Sequence, residues 1–343
     1  MAPSRRRGSA AVVGGGVIGL SAARALRLDG FDVTVYEQHR VGTPRGSSPG
    51  RSRIYRTSYR VDDYVRLGRR AIEEWQRVDP SLLLPNGLME YGAGVELHAQ
   101  ALERCGEPYE WLEPHEAERL FPEARFTEPV LWTSDAGAVL ADDALRRLRE
   151  GVTVVEGTRI DDPRELEADV VVACPGSWLS RLFGLPVHAQ IEQVCFFAGA
   201  PDTRPSLVDH GGPDGKFWYG LVSPGVGYKI ARDGARPDPF DPDRPDRPVL
   251  DELADELSRH VAEAFPGLDP APVHREACLY TMSPDGDFIL DTIDGVVVCG
   301  GDSGHAFKFG PLLGRFCADL AQGRELPSEC ARFRADRFAS TPA

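Results

Sequence analysis

One short run, Gly14-Gly15-Gly16-Val17-Ile18-Gly19, limits what this chain can fold into more than any other feature. The apolar residues 10–13 before it suit a buried parallel strand, and Leu20, Ala23 and Leu26 after it fall near helical spacing, with Gly30 at the stop. Residues 31–36 read as a second strand, ending in Glu37, 23 residues after Gly14. In a βαβ unit the glycines give a tight turn, close approach of backbone to a pyrophosphate, and helix–sheet packing. The helix N-terminus adds a positive dipole end, and the acidic residue accepts ribose hydroxyls. Glu37 disfavours a 2′-phosphate, hence NADP, but does not separate NAD from FAD.

Length and composition narrow the setting. At 343 residues the chain has room for two domains or one large α/β unit, and 42% hydrophobic with 27% charged residues is an ordinary globular balance. A net charge of −14 supplies no basic footprint for nucleic acid or an anionic membrane. The uncharged stretch 8–23 is 16 residues long and contains five glycines, too short and flexible to span a bilayer. Arg5, Arg6 and Arg7 precede an apolar run, as in a signal peptide, but no small-residue cleavage site follows and the run belongs to the glycine motif. The seven cysteines are odd in number, scattered and without a CxxC, so neither a disulfide framework nor a metal ligand set is expected; a cytoplasmic location fits.

Further along, a helix is expected over 143–149 and strands over 152–156 and 169–173, the latter bounded by Cys174-Pro175-Gly176. Segments 288–290 and 296–299 flank an Asp294-Gly295 turn signal. Between these pieces, residues 87–95, 191–197, 217–222 and 227–231 are rich in β-branched and aromatic residues and read as an antiparallel sheet. Residues 236–248 form an Asp/Pro loop, followed by a helical stripe of Leu250, Leu253, Leu257, Val261 and Phe265. Only three of the 39 basic residues are lysine, Lys216, Lys229 and Lys308, so each is a candidate for a place where an ammonium does what a guanidinium cannot, Lys216 having no counterpart in any motif.

Four separated segments in register resemble one family. The glycine fingerprint with Glu37, residues 46–56 (GSSPGRSRIYR), residues 277–281 (ACLYT) and residues 301–309 (GDSGHAFKF) are similar to the monomeric sarcosine oxidase and N-methyltryptophan oxidase group of the D-amino-acid-oxidase-like flavoenzymes. The resemblance covers about residues 10–320. It implies an α/β fold with an α+β second domain: a Rossmann-like FAD-binding domain over 1–81, 135–188 and 284–343, and an inserted antiparallel-sheet substrate domain over 82–134 and 189–283. It also implies a trimmed FAD domain, since only residues 161–168 stand where the family has a small β-meander.

The same resemblance implies roles. FAD is contacted by Gly14, Gly16, Val17, Ile18, Gly19, Glu37, Gln38, Ser47, Ser48, Arg53, Ile54, Ile160, Gly176, Trp178, Gly304, Phe307 and Lys308, with a thioether from Cys278 to the flavin. Arg56 and Lys308 hold a substrate carboxylate, which suits a planar guanidinium beside a point charge. Arg53 and Lys229 flank the ring, where Lys229 serves oxygen, and Tyr219 and Tyr280 wall the pocket. His305 is expected to position backbone rather than carry a proton. Pro49, Ala306 and Asp233 depart from the family pattern and leave the substrate open. The expected reaction is oxidation of the C–N bond of a secondary, N-methyl or cyclic amino acid to an imine, with oxygen going to hydrogen peroxide in a monomer. Alternatives are a dehydrogenase passing electrons to another carrier, a four-electron oxidase of a cyclic imino acid, an NAD-linked dehydrogenase, and a non-catalytic flavoprotein.

Overall fold

The computed structural model describes residues 7–211 and 215–338; Arg5 and Arg6 of the basic leader lie outside them. The glycine motif sits where its spacing predicts, between strand Ser9–Val13 and helix Val17–Leu28, with strand Asp32–Glu37 returning alongside. These strands belong to a six-stranded sheet in the order Ile289–Ile293, Val296–Gly300, Val170–Ala173, Ser9–Val13, Asp32–Glu37, Thr153–Glu156. All neighbours are parallel except the hairpin formed by the first two. That hairpin turns at Asp294-Gly295, both at positive φ, as the dipeptide requires. Strand Val296–Gly300 is buried along its whole length, as are Val12, Val35 and Val172 in the strands beyond it, the pattern of a sheet covered on both faces at its centre. Helix Gly310–Leu320 packs on helix Val17–Leu28, and Gly314 permits the approach: a Cβ there would lie 2.4 Å from that of Ser21.

The expected antiparallel sheet is present and larger than the sequence suggests, with nine strands led by His188–Phe197 and Pro272–Met282. It is mixed rather than wholly antiparallel, because Ser206–Asp209 pairs in parallel with Leu88–Tyr91. The stretch 87–95 is likewise only part strand: it leaves the sheet after Tyr91, turns through Gly92 and Gly94 at positive φ, and starts helix Val95–Cys105. The stripe from Leu250 lies on helix Asp251–Ala264, whose Leu253, Leu257 and Val261 are buried against this sheet. A third sheet joins Ser52–Tyr55, Gly137–Leu140 and Leu83–Leu84. In place of a meander, a 3-10 turn at Pro163–Glu165, capped by the Asp162 carboxylate, links the two sheet strands. Among the described residues no helix is long and apolar enough to cross a membrane.

Candidate active site

The glycine turn forms the floor of a long cleft. Gly14 has φ +101, and a Cβ there would lie 2.3 Å from the Cys174 carbonyl oxygen; one on Gly19 would lie 2.0 Å from the Gly14 carbonyl oxygen. Only bare backbone fits, which is what a phosphate-bearing ligand drawn against this loop requires. The Ser48 hydroxyl accepts from the Val17 amide (3.0 Å) at the helix N-terminus, and the Glu37 carboxylate accepts from Gly15 (2.7 Å) and His39 (2.8 Å). Gly14, Gly16, Val17, Ile18, Glu37, Gln38, Ser47, Ser48, Ile160, Gly176 and Trp178 all line this cleft. Gly19 does not; it lies in the first turn of the helix, packed against Gly14 and Cys174.

A second cavity, of about 610 Å³, opens beyond the cleft. The two share six residues: Pro49, Arg53, Cys278, Tyr280, Gly304 and Phe307. Three distant chain segments thus meet at one seam. The Arg53 guanidinium is held there by three carbonyls, donating to Ser52 (2.9 Å), Ser47 (3.1 Å) and Pro49 (2.6 Å), with Phe307 under it at 5.7 Å. The Cys278 thiol contacts the Glu192 carbonyl at 3.6 Å, and burial pushes its pKa up. Gly304 is needed because a Cβ would fall 2.5 Å from the Tyr280 ring.

Lys229, Arg56, Lys308, Tyr219 and Ile54 line the second cavity. Ile54 and Lys308, expected beside the cofactor, therefore face this space and not the glycine cleft. Lys229 is buried in the middle of strand Gly227–Arg232 and donates to the Ser52 carbonyl at 2.6 Å; burial, aided by Arg53, pulls its pKa to about 7. Lys308 donates to the His305 carbonyl at 3.0 Å, and burial and then Arg56 hold its pKa well below the usual lysine range. The Tyr219 and Tyr280 hydroxyls are 3.1 Å apart. His305 is pinned to the Gly286 carbonyl at 3.1 Å and lies 4.6 Å from the Phe288 ring at a 30° tilt, and burial drops its pKa to about 3, so it shapes the Lys308 turn as a neutral ring.

Arg56 has a partner that no motif announces. Its guanidinium pairs with the fully buried Glu90 at 2.7 Å and lies 4.8 Å over the Tyr59 ring. Burial alone would raise the Glu90 pKa, but Arg56 and a hydrogen bond with His210 (3.1 Å) outweigh it and lower it to about 2. His98 lies 3.6 Å from the same oxygen, and burial drops its pKa to about 3. Glu90, His98 and His210 place ligand-type atoms within 4.8 Å of one another, yet Arg56 already supplies the balancing charge, so the group works as a hydrogen-bonded cluster. The one signal in the sequence was an acid inside the otherwise apolar strand Leu88–Tyr91.

Comparison with known proteins agrees with this architecture. The FAD dependent oxidoreductase (DAO) family model matches residues 9–320. The chain is similar to the peroxisomal sarcosine oxidase of Mus musculus, at 29% identity over 96% of each chain. It is also similar to the monomeric sarcosine oxidase of Streptomyces avermitilis, at 28% identity over 97% of this chain and 98% of that one. Among solved structures, NikD, described as an unusual amino acid oxidase essential for nikkomycin biosynthesis, superposes with a TM-score of 0.82 at 23% identity, over 96% of this chain and 98% of that one. A family model that runs through both large sheets, over a cleft of the required shape, makes this chain a member of the DAO family of FAD-dependent oxidoreductases.

Proposed function

We propose that the protein is an amine oxidase of the sarcosine-oxidase type, converting the C–N bond of a secondary, N-methyl or cyclic amino acid to an imine and reducing oxygen to hydrogen peroxide. The single observation that carries this reading is the seam of six residues where the nucleotide cleft and a cation-lined cavity meet. FAD held by the glycine turn, Glu37, Gln38, Ser48 and Trp178 supplies the acceptor for a hydride and for its onward transfer to oxygen. Arg56 and Lys308 draw in the substrate carboxylate, and Tyr219 and Tyr280 offer aromatic walls with hydroxyls turned to its polar end. Burial and Arg56 hold the Lys308 pKa down, and a carboxylate bound beside it would pull it back up. Arg53 and Lys229 place positive charge at the seam, where negative charge develops.

Cys278 faces the seam from the middle of its strand and tethers the cofactor in this reading. Acid precipitation is expected to leave the yellow colour in the pellet, and Cys278→Ala to move it to the supernatant; colour in the supernatant from the parent protein removes the tether. A cytoplasmic location and a monomeric state belong to the reading as the resemblance implies them; the location is supported by seven cysteines of which none is in a disulfide. The experiment is anaerobic bleaching of the bound flavin by N-methyl, cyclic and primary amino acids. Rapid bleaching by a secondary or cyclic amino acid, with peroxide on readmission of air, supports the reading. Bleaching without peroxide makes the protein a dehydrogenase, and no bleaching by any amine overturns it.

A further inference from the structure

The Asp/Pro loop finds its purpose in what it ties together. Its prolines stand at 237, 239, 242, 245 and 248, and each follows a charged residue: Arg236, Asp238, Asp241, Arg244 and Arg247. Every proline fixes its own φ and biases the residue before it toward extended backbone, so this segment has few conformations to lose on docking. One end is stitched to the large sheet through Pro239–Phe240 against Ala189 and Gln190. The other is held by Gln193, which exchanges two hydrogen bonds with the Leu250 backbone (2.9 and 2.8 Å).

Between those anchors the loop grips both lips of the cofactor cleft. On one lip, the Asp243 carboxylate accepts from Trp178 Nε1 (2.7 Å) and from Arg181, with Arg159 at 3.6 Å, and Asp241 takes a second Arg181 bond at 2.5 Å. Trp178, Arg181 and Arg159 all line the cleft. On the other lip, Arg45 donates to the Asp243 carbonyl (2.9 Å), and Arg247 donates to the carbonyls of Pro44, Arg45 and Gly46. Thr43 and Gly46, on either side of that contact, line the cleft. Isolated surface ion pairs add little, because holding two long side chains costs entropy. Here the proline-stiffened backbone has little freedom of its own to lose, and several contacts converge on one carboxylate.

We propose that residues 241–247 are a clasp, pinned by Asp243 on one lip and Arg247 on the other, which keeps the cofactor cleft closed and slows the departure of flavin that is not covalently held. This rests on FAD occupying the cleft, and not on which amine is oxidised. The reach of the loop makes Asp243 a positioning residue, acting on the cofactor through Trp178 and Arg181.

The test uses full-length Cys278→Ala protein loaded with FAD, and follows the rise of free-flavin fluorescence after dilution. Adding Asp243→Ala or, separately, Arg247→Met is expected to speed release about tenfold, the effect of losing one good charge-assisted hydrogen bond. Asp243→Asn, which can still accept from Trp178, should fall between. By reciprocity, FAD should also slow amide hydrogen exchange of residues 236–248 in the Cys278→Ala protein. Release within twofold of the background in both clasp variants, with unchanged far-UV circular dichroism, overturns the clasp, and so does loop exchange indifferent to FAD. Failure of every amine to bleach the flavin would leave the clasp standing while removing the proposed activity; protein unable to take up FAD at all would end both.

Discussion

Lys229→Met is expected to leave anaerobic reduction by substrate within about twofold while slowing reoxidation by oxygen about a hundred- to a thousand-fold, the range for removing one preorganised electrostatic group. The split follows from position. Lys229 donates to the Ser52 carbonyl and feels the charges of Arg53 and Cys278 at the seam, whereas Lys308 feels Arg56, the other member of the pair proposed to hold the carboxylate. Stopped-flow mixing of reduced enzyme with oxygen reads it directly, and equal rates in variant and parent would remove the role. The same group sets a pH signature. Its pKa is depressed to about 7 by burial and Arg53, so the ammonium is full below that pH and lost above it. The reoxidation constant should therefore fall as pH rises through about 7, and in Lys229→Met it should be flat across that window.

Arg56→Met should have the second large effect, and it should be two effects. The first is on substrate: removing the guanidinium that grips the carboxylate is expected to lower kcat/KM about a hundredfold. The second is on the fold. Glu90 is fully buried and owes its low pKa chiefly to Arg56, since burial alone pushes the other way. Leaving that carboxylate without its partner should cost about 3–5 kcal/mol. Its other oxygen has no hydrogen-bond partner, and the hydrogen bond with His210 is all that would remain to the carboxylate. Thermal unfolding of Arg56→Met at neutral pH should drop by many degrees, and adding Glu90→Gln should restore most of that loss without restoring kcat/KM. Full recovery of both by the double variant would mean that Arg56 is structural only.

Which parts of this were readable beforehand depends on how local their causes are. The glycine turn was legible because its chemistry is written in consecutive residues, and Gly14 and Gly19 prove to be places where a Cβ has no room. The Asp294-Gly295 hairpin was legible for the same reason. The lysines were legible because scarcity made them visible, and two of the three line one cavity. Long-range pairing was not. Nothing in residues 206–209 says that they run parallel to 88–91, since both are short apolar strands compatible with either direction. Nor does anything near Arg56 announce Glu90, 34 residues away on another sheet, because the bond that matters forms only after both strands are placed. The proline spacing of 237–248 was plain in the sequence, but the lips it joins are brought together only by the fold.

The account turns on a carboxylate bound in the second cavity, gripped by Arg56, close to a flavin at the seam. Its most direct test is titration of the holoenzyme with a simple carboxylate that has no hydride to give, benzoate, followed by the visible flavin spectrum. A saturable shift of the flavin bands that competes with the amine substrate, and that needs far higher benzoate in Arg56→Met, is the predicted result. An undisturbed spectrum in the parent protein, or the same affinity with and without Arg56, would contradict it.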